Sequence, residues 1–306
     1  MPSYRKSHLD ALLKERRILE YGSHAAAYLP MQDYRYCLPY MQTIASGVQH
    51  WRKPDPRAMA RVLARIRDEG PLMARDFDHD GARDEHWGWN WKPAKIALEP
   101  LFIEGKLMAS HRVGFQKFYD LPEPVIPAGI DTAMPTDEEF HRYLILSTLK
   151  AHGLAAEVEF SYLRKGHKAG VRNTLKDMLD MGEVIAITVD QLPGTWYTTQ
   201  ANLEALAGTR ISKHVHLLSP FDNAVIKRKR IQALFDRQYQ IECFVRSAKR
   251  QFGYCCLPIL HGTDNVGRLD PKADRKNSTF ILRSLHLEKP LTDLNAFING
   301  LAKKLT

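Results

Sequence analysis

The sequence predicts an α+β protein: tandem winged-helix domains followed by a C-terminal antiparallel β unit, with a turn spacing that also admits a small barrel. Three observations predict it. An order of helix, short helix, helix and hairpin occurs twice along the chain. A helix–glycine–strand junction recurs between the two copies. Beyond residue 210 the helical period gives way to short apolar runs separated by turns. A length of 306 residues with 44% hydrophobic content supports several packed units rather than one. A charged fraction of 26% and an aromatic fraction of 9% exclude disorder, collagen and coiled coil. The expected divisions are 1–50, a remnant of a first winged helix plus a connecting helix; 51–125, a second winged helix; 130–205, a third; and 210–306, a basic β unit with a closing helix.

Each element has a local cause. Leu12 to Glu20 reads as a helix end followed by a strand, with Arg16 where the later copies carry Gly. A complete first unit needs two more helices before His8, so the chain is expected to enter that module at its third helix. Leu9, Leu12, Leu13 and Ile18 would then lose their cover and expose an apolar face. In the second module Asp55 caps a helix that opens on Pro56. Met59, Val62, Leu63 and Ile66 follow at helical spacing, and Gly70-Pro71 stops it. Pro71 to Phe77 is the short middle element. A third helix runs from Lys92-Pro93 towards Gly105. Leu107 to His111 and Phe115 to Tyr119 form the hairpin around Gly114.

The third module repeats this order. Thr136 and Glu139 make a capping box ahead of Phe140, Tyr143 and Leu144. Leu154 to Leu163 is the middle stretch. Val171, Leu175, Met178 and Leu179 mark the last helix. Val184 to Val189 and Thr195 to Thr199 form a hairpin turning at Leu192-Pro193-Gly194. Glu104-Gly105-Lys106-Leu107 aligns with Met181-Gly182-Glu183-Val184, each ending a helix on Gly before a strand. In the last quarter the strand-like runs are Val215 to Leu218, Tyr239 to Val245, Gly253 to Leu260, Val266 to Leu269 and Thr279 to Leu287. An amphipathic helix, Leu294 to Leu305, closes the unit.

Charge singles out this last unit. The chain carries a formal +9, and residues 210–276 alone hold fourteen Lys or Arg against six Asp or Glu. Such focusing suits a polyanion; a solvated basic face is the bland alternative. Lys249, Arg250, Gln251 and Tyr254 mix cations with aromatics at an expected strand entry, a pattern for phosphate contact beside a stacking ring. Lys227, Arg228, Lys229 and Arg230 form a basic run suited to a solvated or phosphate-touching helix start. Arg268, Lys272, Arg275 and Lys276 fall in an expected turn-rich loop and continue the track.

Other motifs are weaker. Trp87, Trp89 and Trp91 suit a packed inter-domain hinge better than a stacking platform. Asp76 to Gly81 resembles half a calcium loop, but the position that needs Glu holds Trp87. His214 and His216 share a strand face without a third ligand. Phosphate loops, nucleophile elbows and His-Glu-x-x-His are absent. No metal or cofactor is expected. The four cysteines, 37, 243, 255 and 256, fit neither a disulfide framework nor a zinc knuckle and suggest a reducing compartment. No apolar run spans a membrane, and Met1 to Asp10 lacks a signal sequence, so a cytoplasmic, nucleoid-associated protein is expected.

Several segments together resemble the AlkZ/YcaQ family of winged-helix DNA glycosylases, bacterial enzymes that excise alkylated bases and unhook interstrand crosslinks. They are Glu20-Tyr21-Gly22-Ser23-His24, Trp89-Asn90-Trp91-Lys92-Pro93, Leu218-Ser219-Pro220-Phe221-Asp222, Glu242-Cys243 through Lys249 to Tyr254 and Leu257-Pro258, and Gly267-Arg268-Leu269-Asp270-Pro271-Lys272. The resemblance covers essentially the whole chain. It implies three tandem winged helices and a β unit around a DNA-sized channel, with damaged double-stranded DNA as partner and a monomeric state.

Departures from the family pattern bear on chemistry. The family's Gln-Φ-Asp or Gln-Φ-Gln motif, implied to position water and stabilise the sugar cation, belongs upstream of the segment aligned to His8. Gln238-Tyr239-Gln240 has those letters in the β unit, where the match is taken as chance. Without the motif, excision is expected to be impaired, since losing one such electrostatic group costs about 3–4 kcal/mol. Glu20 and His24 are the candidate catalytic substitutes, with a structural role under the wing as the competing reading. Gly22 replaces the family's Trp and Ala25 its Glu. Pro100 interrupts an expected helix interior. Two functions stay open: a DNA glycosylase of alkylation or crosslink repair, and a non-catalytic winged-helix DNA-binding protein of regulatory or architectural type. A purely structural protein leaves the focused charge unexplained.

Overall fold

The computed structural model describes residues 4–22, 26–47, 55–77 and 93–305. His24, the Trp87–Trp91 cluster and most of the Asp76–Gly81 segment lie outside the described residues. The chain divides into two compact units, residues 1–143 with 162–170 and residues 144–161 with 171–306. Among the described residues no helix is long and apolar enough to cross a membrane.

The first unit opens with α1 (Lys6–Lys14) and the hairpin β1 (Ile18–Gly22) and β2 (Ala26–Pro30). A 3-10 turn, Met31–Cys37, leads into α2 (Leu38–Ala45). The exposed apolar face expected of α1 is not observed. Leu13 is buried, and Leu9, Leu12 and Ile18 are half-buried, because α1 packs on the hairpin of the next module. That module runs α3 (Pro56–Glu69), β3 (Leu72–Met73), a 3-10 turn Ala74–Phe77, α4 (Pro93–Ile103), β4 (Met108–Val113) and β5 (Gln116–Asp120). Asp55 caps α3 by accepting the Arg57 N–H at 2.9 Å. Met59, Val62 and Ile66 of α3 are buried with Leu98, Leu101 and Leu107. Pro100 falls in the last turn of α4, which continues to Ile103, so the helix does not end early there.

A short α5 (Pro122–Val125) precedes α6 (Asp137–His152). The capping box at its start is present: Glu139 Oε2 accepts the Thr136 N–H at 2.8 Å, and Thr136 Oγ1 accepts the Glu139 N–H at 3.2 Å. Then come β6 (Ala155–Ala156), α7 (Glu157–Phe160), α8 (Lys168–Asp180), β7 (Ile185–Ile187) and β8 (Trp196–Thr198), followed by α9 (Gln200–Ala207). The division between the units passes through α6 and α8. The sheets of the two modules have one topology, β3-β5-β4 and β6-β8-β7, with the short middle strand paired to the second hairpin strand each time.

The three junctions between helix and hairpin share their backbone geometry. Arg17 N–H reaches Leu12 O at 3.0 Å, Lys106 N–H reaches Leu101 O at 2.9 Å, and Glu183 N–H reaches Met178 O at 2.9 Å. Before each donor stands a left-handed residue: Arg16 with φ 57°, Gly105 with φ 74° and Gly182 with φ 73°. This is the αL helix stop that glycine adopts without strain. The first copy makes the same turn with arginine.

The remainder of the second unit holds β9 (Val215–Leu217), α10 (Arg228–Phe235), β10 (Leu257–His261), β11 (Asp264–Asp274), β12 (Thr279–Leu287) and α11 (Leu294–Leu305). The strands order as β12-β11-β10-β9. Among the described residues β9 pairs only with β10 and β12 only with β11, so the sheet is open and the barrel admitted by the turn spacing is not formed. Phe297 and Leu301 of α11 cover Val215, Ile259, Val266 and Leu269. Pro271, which lacks an N–H, sits at a register shift in β11. The expected strand over Tyr239 to Val245 is instead irregular chain, and Arg268 and Lys272 lie within β11 rather than in a loop.

Candidate nucleic-acid interface

The basic run at 227–230 forms the start of α10, with Lys227 at the N-cap. Its four cations part company. Arg230 is buried and donates from Nη1 to Glu159 Oε2 at 2.8 Å and to Leu154 O at 3.0 Å, and from Nη2 to His152 O at 3.3 Å. Lys227 is also buried, with Nζ 3.6 Å from Glu159 Oε1. Burial pulls the Lys227 pKa down, partly offset by the Glu159 charge. Burial and the Arg230 charge also lower the pKa of His152. Arg228 and Lys229 are exposed. Periodicity explains the split: one helical turn contains both an inward and an outward face.

Arg268 is a third buried cation. Nη2 donates to Glu288 Oε1 and to Gln238 O, both at 2.7 Å, and the guanidinium stacks 3.9 Å over the Phe252 ring. The expectation that Lys227, Arg230 and Arg268 belong to a phosphate track meets this geometry directly, since all three spend their charge on protein acceptors. Their partners Glu159 and Glu288 are remote in sequence and gave no local signal.

Around Arg268 the irregular chain of residues 238–256 is tightly held. The Glu242 carboxylate accepts the N–H groups of Gln251 at 2.9 Å, Phe252 at 2.8 Å and Gly253 at 3.1 Å. Burial would push its pKa up, but these three donors outweigh that and hold it below the ordinary range. The Asp270 carboxylate accepts the N–H groups of Tyr254 at 2.9 Å and Cys255 at 3.2 Å. A side chain at Gly253 would collide with that carboxylate. Tyr239 is buried and donates to Cys256 O at 2.7 Å, so the Gln238-Tyr239-Gln240 tripeptide serves as framework.

Outward from this frame stand Lys249, Gln251 and Tyr254, all exposed, with the Arg250 guanidinium 4.9 Å from the Tyr254 ring. The β11–β12 hairpin adds exposed Lys272, Arg275 and Lys276 about its turn. Asp274 shapes that turn by accepting the Asn277 side chain at 2.9 Å.

In the first unit Glu20 lies on β1, buried. Its oxygens accept Arg112 Nε and Nη2, each at 2.7 Å, and pair with Lys117 Nζ at 2.8 Å. Burial raises its pKa, but the Arg112 and Lys117 contacts overcome this and hold it below the ordinary value. Arg112 also donates to Phe115 O at 2.8 Å, bracing the β4–β5 turn. Among the described residues no group of three His, Cys, Asp or Glu is placed to hold a metal, and His216 Nε2 sits 3.3 Å from Ser212 Oγ. All four cysteines are unbridged, and burial pushes Cys37 up to about 12.

Comparison with known proteins decides the family. The family described as DNA glycosylase AlkZ-like matches residues 1–304. The chain belongs to the AlkZ-like DNA glycosylase family. Membership makes DNA the substrate and glycosylase chemistry in DNA repair the function class. The fold is also that of the Streptomyces sahachiroi DNA glycosylase AlkZ, with a TM-score of 0.62 at 17% identity over 98% of this chain and 80% of that one. The tandem modules and open C-terminal sheet described above are therefore the architecture of an AlkZ-like chain.

Proposed function

We propose that this AlkZ-like chain grips damaged double-stranded DNA and hydrolyses the N-glycosidic bond of alkylated bases, including those joined in interstrand crosslinks. It works as a monomer at the bacterial nucleoid. In this reading 51–125 and 130–205 are winged helices, 1–50 contributes a further hairpin and connecting helix, and 210–306 is the gripping unit. The observation that carries it is the set of exposed cations on that unit: Arg228, Lys229, Lys249, Lys272, Arg275 and Lys276. Gln251, Arg250 and Tyr254 complete the surface beside them. An N7-alkylated purine is already a good leaving group, so the protein's task is to expose the bond, stabilise the sugar cation and place water.

A single-turnover assay on a duplex with one N7-alkylguanine tests this. Alkali-cleavable breaks above the spontaneous rate support excision. A gel shift without breaks supports the second reading, a non-catalytic DNA binder. One observation favours that reading: both oxygens of Glu20 are already taken by Arg112 and Lys117. His24 is the other candidate, and His24→Ala and Glu20→Gln are the first variants to assay.

A further inference from the structure

Among the described residues Phe244 is the most exposed large apolar side chain, at 93%. It does not sit on a loose tail. Val245 N–H reaches Glu242 O at 2.9 Å, closing a tight turn in which Phe244 holds the third position. The turn is anchored on both sides. The Glu242 carboxylate is fixed by three backbone donors from residues 251–253, and Arg250 Nε donates to Val245 O at 2.9 Å. Behind these, Ser284 Oγ donates to Phe252 O at 3.0 Å, tying the chain to β12. Arg246 and Lys249, two and five residues further along the chain, are exposed.

A turn of this kind is normally filled by a small polar residue. An apolar ring held in water on a braced turn, in a segment that also exposes cations, has the properties of a wedge for stacked bases. Its face can stack on a base, its lack of polar atoms leaves base edges unread, and the bracing removes the entropy cost of ordering it. A glycosylase must bring its base out of the stack, and something must hold the opened step.

We propose that Phe244 is that wedge, entering the duplex beside the base to be excised. The inference rests on the DNA-excising reading above and names one contact within it. The test is equilibrium binding to a duplex with 2-aminopurine beside a single tetrahydrofuran abasic site, with parallel single-turnover excision. The wild-type chain should raise 2-aminopurine fluorescence as the neighbouring base unstacks. Phe244→Ala should abolish most of that rise and weaken binding about tenfold, with an unchanged salt slope because no charge is lost. Phe244→Trp should restore both. Thermal melting confirms folding, which an exposed position leaves intact. A rise and an affinity within about twofold of wild type in Phe244→Ala overturn the wedge while leaving excision standing. A wild-type chain that binds without any rise also overturns it. Failure of the wild-type chain to bind DNA at all removes the functional reading and the wedge together.

Discussion

At the start of α10 two of four consecutive cations, Lys227 and Arg230, turn inward onto Glu159, whereas at the tip of the β11–β12 hairpin Lys272, Arg275 and Lys276 all face water. Both stretches are basic by composition, 227–230 with four cations and 272–276 with three cations and one carboxylate. They differ in what the fold puts behind them. The α10 turn lies against α7, whose Glu159 is buried and needs a counter-charge. At the hairpin tip even the apolar side chains face water: Phe280, Ile281 and Leu282 of its second strand are each substantially exposed. A charge excess read from sequence is therefore a mixture of cations that hold the protein together and cations that face water.

Removing one inward cation should have the largest effect. Arg230→Ala leaves Glu159 buried with a weakened partner and should cost about 3–5 kcal/mol in chemical denaturation. A cost under about 1 kcal/mol would erase the distinction between the stretches, since exposed pairs are worth that little. Glu20→Gln comes next. With its carboxyl held below the ordinary range by Arg112 and Lys117, wild-type Glu20 contributes stability above the unfolded carboxylate pKa, near about 4.3. That contribution is lost as pH falls through the lower folded value. The stability gap between wild type and Glu20→Gln, about 1–3 kcal/mol at neutral pH, should narrow on acidification below about pH 4. A gap independent of pH down to acid unfolding contradicts the ion-pair reading. Arg228→Ala with Lys229→Ala should have the smallest effect on stability, within about 0.5 kcal/mol. The same pair should lower the salt slope of DNA binding by about 2. The reverse pattern would place these two among the structural cations.

Much of this fold was legible because its causes are local. The closing helix Leu294–Leu305 and the strand Thr279–Leu287 have the bounds their patterning implies. Asp55 and the Thr136–Glu139 pair cap as their spacing requires. The repeated stop at Arg16, Gly105 and Gly182 was readable even where arginine stands for glycine. What sequence could not supply was long-range. The apolar run Tyr239 to Val245 looks like a strand, yet Glu242 captures backbone donors nine to eleven residues on and folds the chain into turns. Arg230 meets Glu159 across 71 residues and Arg268 meets Glu288 across 20, so neither pairing leaves a spacing to find. Phe244 leaves no sequence signal for a related reason: burial is the default for its type, and only the folded turn exposes it.

The central claim is that the outward cations of the second unit, and not the inward ones, grip DNA. The logarithm of the duplex affinity should be measured against the logarithm of salt for the wild-type chain and for the triple variant Lys272→Ala, Arg275→Ala, Lys276→Ala. With six exposed cations on phosphates, the wild-type slope should be about −5 and the variant slope about −3, with no loss of stability. A wild-type slope near zero, or a slope that the triple variant leaves unchanged, would contradict the account.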